Sequence, residues 1–128
     1  MTPTDVLRIV FERFRAGDRD GAIALFHRDA TFTYSGPGGL HGTYVGHDAI
    51  QRFWALQDRL AGGGLVPEFI DLGESGRRAF LLVRIGKPPG PSFLRVVVYE
   101  IDDGLITAAR VFEDDPVSAQ AFFGSTTN

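Results

Sequence analysis

The residues of this chain best suited to chemistry are charges set among aromatics on one side of a β-hairpin. Two strand-like runs, Phe93 to Ile101 and Leu105 to Phe112, are joined by Asp103-Gly104. That dipeptide favours a two-residue turn with both central residues at positive φ. Counting pairs outward from Asp102 opposite Leu105 sets Arg95 against Phe112 and diagonal to Arg110 and Asp114, at about 7–8 Å, within reach of long side chains. Alternation then gathers Phe93, Arg95, Val97 and Tyr99 with Ala108, Arg110, Phe112 and Asp114 on one face. The other face carries Leu94, Val96, Val98 and Glu100 with Thr107, Ala109, Val111 and Glu113. Neither is polar enough to face water alone, so one should cover a core or pocket and the other meet a second subunit.

In a partly apolar pocket Asp114 could be a general acid or base, its protonation set by desolvation against the attraction of an arginine; otherwise it is an ion pair at the sheet rim. Arg95 and Arg110 could bind a carboxylate or stabilise an enolate oxygen, or Arg110 could lay its stem on apolar surface and reach water with its head. Tyr34 and Tyr99 could donate to a ligand carbonyl, or be core tyrosines with satisfied hydroxyls. Asp115 precedes Pro116, the pattern of a helix N-cap with proline at the first helical position. A bulge at the strand end would exchange the orientations of Asp114 and Asp115.

A length of 128 residues predicts one domain spanning 1–128, able to bury its own core. There is no cysteine, which excludes thiol catalysis, disulfides and cysteine-based zinc sites. A net charge of -3, with a pI of about 5.5, argues against nucleic acid as a partner. No apolar run approaches the ~18–20 residues that span a bilayer, so a cytoplasmic protein without membrane contact is expected. His41, His47 and Asp48 do not follow a known ligand spacing, so neither metal nor cofactor is expected. The glycine-rich stretches Gly36-Pro37-Gly38-Gly39 and Gly62-Gly63-Gly64 lack the ending of a phosphate loop.

These residues need elements to position them. Thr2-Pro3-Thr4-Asp5 offers N-cap chemistry, and Val6, Leu7, Val10, Phe11 and Phe14 follow at helical spacing to about Ala16. Gly17-Asp18 breaks and recaps a short second helix with apolar residues Ala22, Leu25 and Phe26. Ala30 to Tyr34 reads as a strand, with a short extended piece at Thr43 to Val45. A third helix runs from Asp48 through Ile50, Phe53, Trp54 and Leu60 to Gly62. Strands near Val66 to Leu72, Arg78 to Ile85, Phe93 to Ile101 and Leu105 to Asp114 follow, then a helix from Pro116 to Phe123. Helices first and strands afterwards predict an α+β domain with helices on one face of a mostly antiparallel sheet.

The stretch Ala16-Gly17-Asp18-Arg19-Asp20-Gly21, then Leu25-Phe26-His27-Arg28-Asp29-Ala30-Thr31, then Gly42-Thr43-Tyr44-Val45-Gly46-His47-Asp48-Ala49-Ile50, resembles the SnoaL-like branch of the nuclear transport factor 2-like (NTF2-like) superfamily. The resemblance implies a cone: a curved sheet wrapped against three N-terminal helices, a cavity at the wide end, and often a homodimer through the outer sheet face. That fold hosts isomerases, polyketide cyclases, epoxide hydrolases, dehydratases and noncatalytic binders, so it does not choose among them. The positions of the steroid isomerases' tyrosine and two aspartates fall on Val10, Arg95 and Tyr34, which argues against that reaction. The same carry-over turns Phe32, Tyr34, Arg95, Val97, Tyr99, Arg110, Phe112 and Asp114 toward the cavity. Asp114 resembles the working aspartate near the end of the last strand in polyketide cyclases and limonene-type epoxide hydrolases. Arg84-Ile85-Gly86 lacks the acid that the hydrolases place there, against epoxide hydrolysis.

The resulting expectation is an enzyme that binds an apolar, oxygenated molecule and moves a proton next to its carbonyl. Asp114, Arg95 and Arg110 would be catalytic, with Tyr34, Tyr99, Phe32, Phe112 and Val97 binding the substrate. The alternatives are a noncatalytic small-ligand binder, or an interaction module using the Val96 face.

Overall fold

A computed structural model of the chain describes residues 1–124. Helix α1 (Pro3–Arg15) opens on a reciprocal cap: the Thr2 amide donates to Asp5 Oδ2 at 2.9 Å and the Asp5 amide to Thr2 Oγ1 at 3.2 Å. Its spacing buries Val6, Leu7, Val10 and Phe11 on one stripe. Asp18 caps α2 (Arg19–Ile23), which ends before Leu25 and Phe26. Phe26 instead starts β1 (Phe26–Tyr34), four residues ahead of the expected strand, because it finds a partner in Ile106. After β2 (Gly42–Val45), α3 (His47–Leu60) buries Ile50, Phe53 and Trp54. Then come β3 (Val66–Ser75), β4 (Arg78–Gly86), β5 (Ser92–Asp102), β6 (Leu105–Glu113) and α4 (Pro116–Phe123). The last helix has the bounds expected from sequence.

The six strands form one unclosed sheet in the order β2-β1-β6-β5-β4-β3, antiparallel except where β1 and β6 run parallel. Helix α1 packs on β3 and β4, and α3 on β1 and β2, so the helices cover one face of the curve. Aromatic side chains join the layers: Phe11 stacks on Phe69 at 4.5 Å, and Phe32 lies 4.7 Å from Phe53. No helix among the described residues is long and apolar enough to cross a membrane.

The β5–β6 hairpin begins as its turn dictates. Asp103 and Gly104 both have positive φ, 52° and 78°, and Asp102 and Ile101 pair with Leu105 and Ile106. The register then slips. Glu100 pairs with Ala108 instead of Thr107, leaving Thr107 as an extra residue whose hydroxyl donates to the Glu100 carbonyl at 3.2 Å. On its other edge, β6 meets a second irregularity in β1 between Phe26 and Thr31. One inserted residue reverses every later side chain of a strand. Ala109, Val111 and the Glu113 side chain therefore turn inward, while Arg110, Phe112 and Asp114 turn outward. The expected inward placement of those three is corrected: it holds for β5 but not for the far half of β6.

Candidate functional site

At the centre of the inner face stands an ion pair. Arg95 and Glu113 are directly opposite across β5 and β6, and their side chains are only 6% and 1% exposed. The pairing is bidentate: Arg95 Nε donates to Glu113 Oε1 at 2.8 Å and Nη2 to Oε2 at 2.9 Å. Arg95 Nη1 donates to Gln57 Oε1 at 2.6 Å, and the Tyr34 hydroxyl to Glu113 Oε2 at 2.8 Å. The rings of Tyr34, Phe93 and Phe123 surround the guanidinium at 5.7, 5.9 and 5.7 Å. Such a buried pair is costly unless its hydrogen bonds are met, and among the described residues no buried side-chain nitrogen or oxygen lacks a partner.

Local chain geometry builds this arrangement. Gln57 lies one turn beyond Phe53 and Trp54, at the half-buried continuation of their stripe on α3, so it faces Arg95. Gly36 passes so close over Tyr34 that an added Cβ would sit 2.7 Å from its ring. Asp115 accepts from the Ser118 amide and hydroxyl, caps α4 and is held below the ordinary carboxylate range by those bonds. The helix so fixed carries Phe123 over the guanidinium.

In front of Arg95 lies a cavity of about 110 Å³. Its walls are mainly apolar, with Phe32, Phe53, Val97 and Val111 among them, and its polar side is formed by Arg95, Gln57 and Tyr99. Tyr99 is 6% exposed, yet its hydroxyl makes no hydrogen bond among the described residues and is not sealed off. It therefore faces the cavity. Burial pushes the Tyr99 hydroxyl well above the ordinary tyrosine range; burial does the same to Tyr34, reinforced by the neighbouring Glu113 carboxylate.

Of the residues singled out from sequence, Arg95, Tyr99, Phe32 and Val97 line this cavity, and Tyr34 stands behind it on Glu113. Arg110 and Phe112 lie on the outer face, Phe112 47% exposed. Asp114 is exposed and accepts from the Leu94 amide at 3.0 Å, a contact that ends the strand pairing. Of the two histidines flanking β2, His41 in the preceding loop bonds the Gly36 carbonyl and His47, the first residue of α3, the Phe26 carbonyl. Sequence reading missed Glu113 and Gln57. Gln57 carried a signal, a polar residue on the stripe of Ile50, Phe53 and Trp54; Glu113 carried none without the bulge.

An unclosed, curved six-stranded sheet packed on N-terminal helices, with polar groups at the inner end of an apolar hollow, is the cone of the NTF2-like proteins, and several solved NTF2-like structures share it. More narrowly, residues 7–109 match the SnoaL-like domain, and the chain belongs to that family. A protein of unknown function with a cystatin-like fold from Xanthomonas campestris superposes with a TM-score of 0.85 at 19% identity, over 97% of this chain and 99% of that one. TerC co-crystallised with polyporic acid gives 0.77 at 22% identity, over 94% and 97%. A candidate polyketide cyclase from Sinorhizobium meliloti gives 0.70 at 21%, over 84% and 94%. At such identities these likenesses show the fold. No protein of curated function matches the sequence.

Proposed function

We propose that the chain holds a small, mostly apolar, oxygen-bearing molecule in the cone, with the oxygen against Tyr99 and Arg95. The observation that carries this is the Tyr99 hydroxyl, which opens onto a mainly apolar cavity and makes no hydrogen bond among the described residues, leaving a donor for a ligand oxygen. Binding without chemical change is favoured by the cavity wall. Arg95 and the Gln57 amide nitrogen are donors, whereas Glu113 stands behind Arg95 with both oxygens engaged. A mobile proton needs a base within reach of the ligand.

A second reading, proton transfer next to a carbonyl of the cyclase, isomerase or dehydratase type, is supported by the charged pair held in the core and by the likeness to a candidate polyketide cyclase. There Arg95 would hold the developing oxyanion, and Glu113 would take the role first expected of Asp114.

Incubation with cyclopentanone in D2O, followed by proton NMR, separates the two. The binding reading expects the ketone to broaden in the presence of protein yet keep its hydrogens next to the carbonyl at the buffer rate. Exchange accelerated by the protein would establish the enzyme reading. We also propose that the outer face, where Val96, Phe80 and Phe112 stand exposed, joins two copies of the chain. Light scattering should give twice the chain mass, and a monomer would refute this.

A further inference from the structure

The same site defines the charge of its ligand and the size of the group that enters it, an inference that rests on the pocket being a binding site. Arg95 has five N–H donors. Three are spent, two on Glu113 and one on Gln57. Because guanidinium has no acceptor, the Gln57 oxygen must be the atom facing it, which turns the amide nitrogen and its two donors away. Tyr99 adds a free hydroxyl. The polar side of the cavity is thus rich in unspent donors, and complements an acceptor oxygen.

It does not complement a negative charge. Glu113 already balances Arg95 one for one, through two hydrogen bonds and almost full burial. No other cation lines the cavity among the described residues. A bound carboxylate would bring an uncompensated charge into an apolar wall, where isolated ions are strongly disfavoured. A carbonyl oxygen takes the same donors without that cost. Volume narrows the part of the ligand that meets these donors: an apolar cavity of roughly 150 Å³ accepts benzene, and this recess, open on one side, measures about 110 Å³.

We infer that the cone of this protein selects ligands that place a neutral carbonyl, on a group of at most single-ring size, in front of Arg95 and Tyr99, and rejects carboxylates of the same size. Trp54, the only tryptophan of the chain, lines the cavity and reports on its filling. The test titrates the protein with three probes of matched size, following Trp54 fluorescence and confirming each by NMR: cyclopentanone, butyrate, and methylenecyclopentane, which has the ketone's shape without its oxygen. Cyclopentanone should bind at least tenfold more tightly than butyrate. Tyr99→Phe should weaken the ketone about fivefold, the worth of one hydrogen bond, and leave methylenecyclopentane unchanged. Butyrate binding as tightly as the ketone would overturn the selectivity while leaving the pocket a binding site. Silence with all three probes would overturn both. Unchanged ketone affinity in Tyr99→Phe, with melting behaviour intact, would remove Tyr99 as the recognising group and with it this inference.

Discussion

The sheet carries three arginine–glutamate pairs directly opposed across neighbouring strands: Arg78–Glu100 and Arg84–Glu68 on the outer face, and Arg95–Glu113 on the inner. On the outer face Arg78 and Glu100 meet across β4 and β5 at 3.7 Å through a single contact, with side chains 61% and 54% exposed. On the inner face Arg95 and Glu113 meet across β5 and β6 by two short bonds, under three aromatic rings. Residue types and strand geometry are the same, so environment alone separates them. In water the attraction is screened and offset by side-chain entropy. Inside, losing one partner strands a charge that cannot be hydrated. The inner pair is therefore a fixed feature that aims Arg95, and the Arg78–Glu100 pair is a replaceable contact.

The most drastic way to break this contrast is Glu113→Gln, which leaves Arg95 buried with its charge unmatched. Urea denaturation should show a loss of about 3–5 kcal/mol. Adding Arg95→Met should restore much of it, because the penalty is the orphaned ion and not the missing bridge. If the double variant is no better than the single one, the pair is net stabilising and the contrast must be restated.

The same hairpin shows what could be read from the chain. Asp103-Gly104 announces its turn, and the alternation of Phe93, Arg95, Val97 and Tyr99 gives the inner side of β5 correctly. The helices were legible through their caps and their apolar spacing, as with Thr2, Asp115 and the run from Ile50 to Trp54. What could not be read is the bulge, because Thr107 is a good strand residue by propensity and is displaced only by tertiary demands. It is pinned by its hydroxyl on Glu100 while β6 also pairs with an irregular β1. One position of slip was enough to exchange Asp114 for Glu113 as the inward acid, which is why the site was half legible although the fold was nearly all so.

A smaller effect should appear at high pH. Burial raises the Tyr34 and Tyr99 hydroxyls above their ordinary range, so the folded chain keeps protons that the unfolded chain releases near pH ~10. Stability is whole below about pH 10 and falls as pH rises beyond it, by about 1.4 kcal/mol per pH unit for each tyrosine. Partial burial raises the Tyr44 hydroxyl too, so Tyr99→Phe should remove one of three contributions and lower that slope by at most about 1.4 kcal/mol per pH unit in urea titrations between about pH 10 and 11. An unaltered slope would mean that Tyr99 reaches bulk water in the folded state.

The smallest change sharpens the comparison from its other side. Glu100→Gln removes the acid of the Arg78–Glu100 pair and leaves Arg78 free to hydrate, so denaturation should shift by less than about 1 kcal/mol. What shift there is should vanish as salt is raised, because screening acts on exposed charges. The loss in Glu113→Gln should persist in the same salt, since the inner carboxylate is 1% exposed and ions do not reach it. A salt-insensitive loss at Glu100 would show that this pair, which shares the outer groove with Phe80 and Phe112, is covered when two copies join and does not stay at the wet rim of their contact.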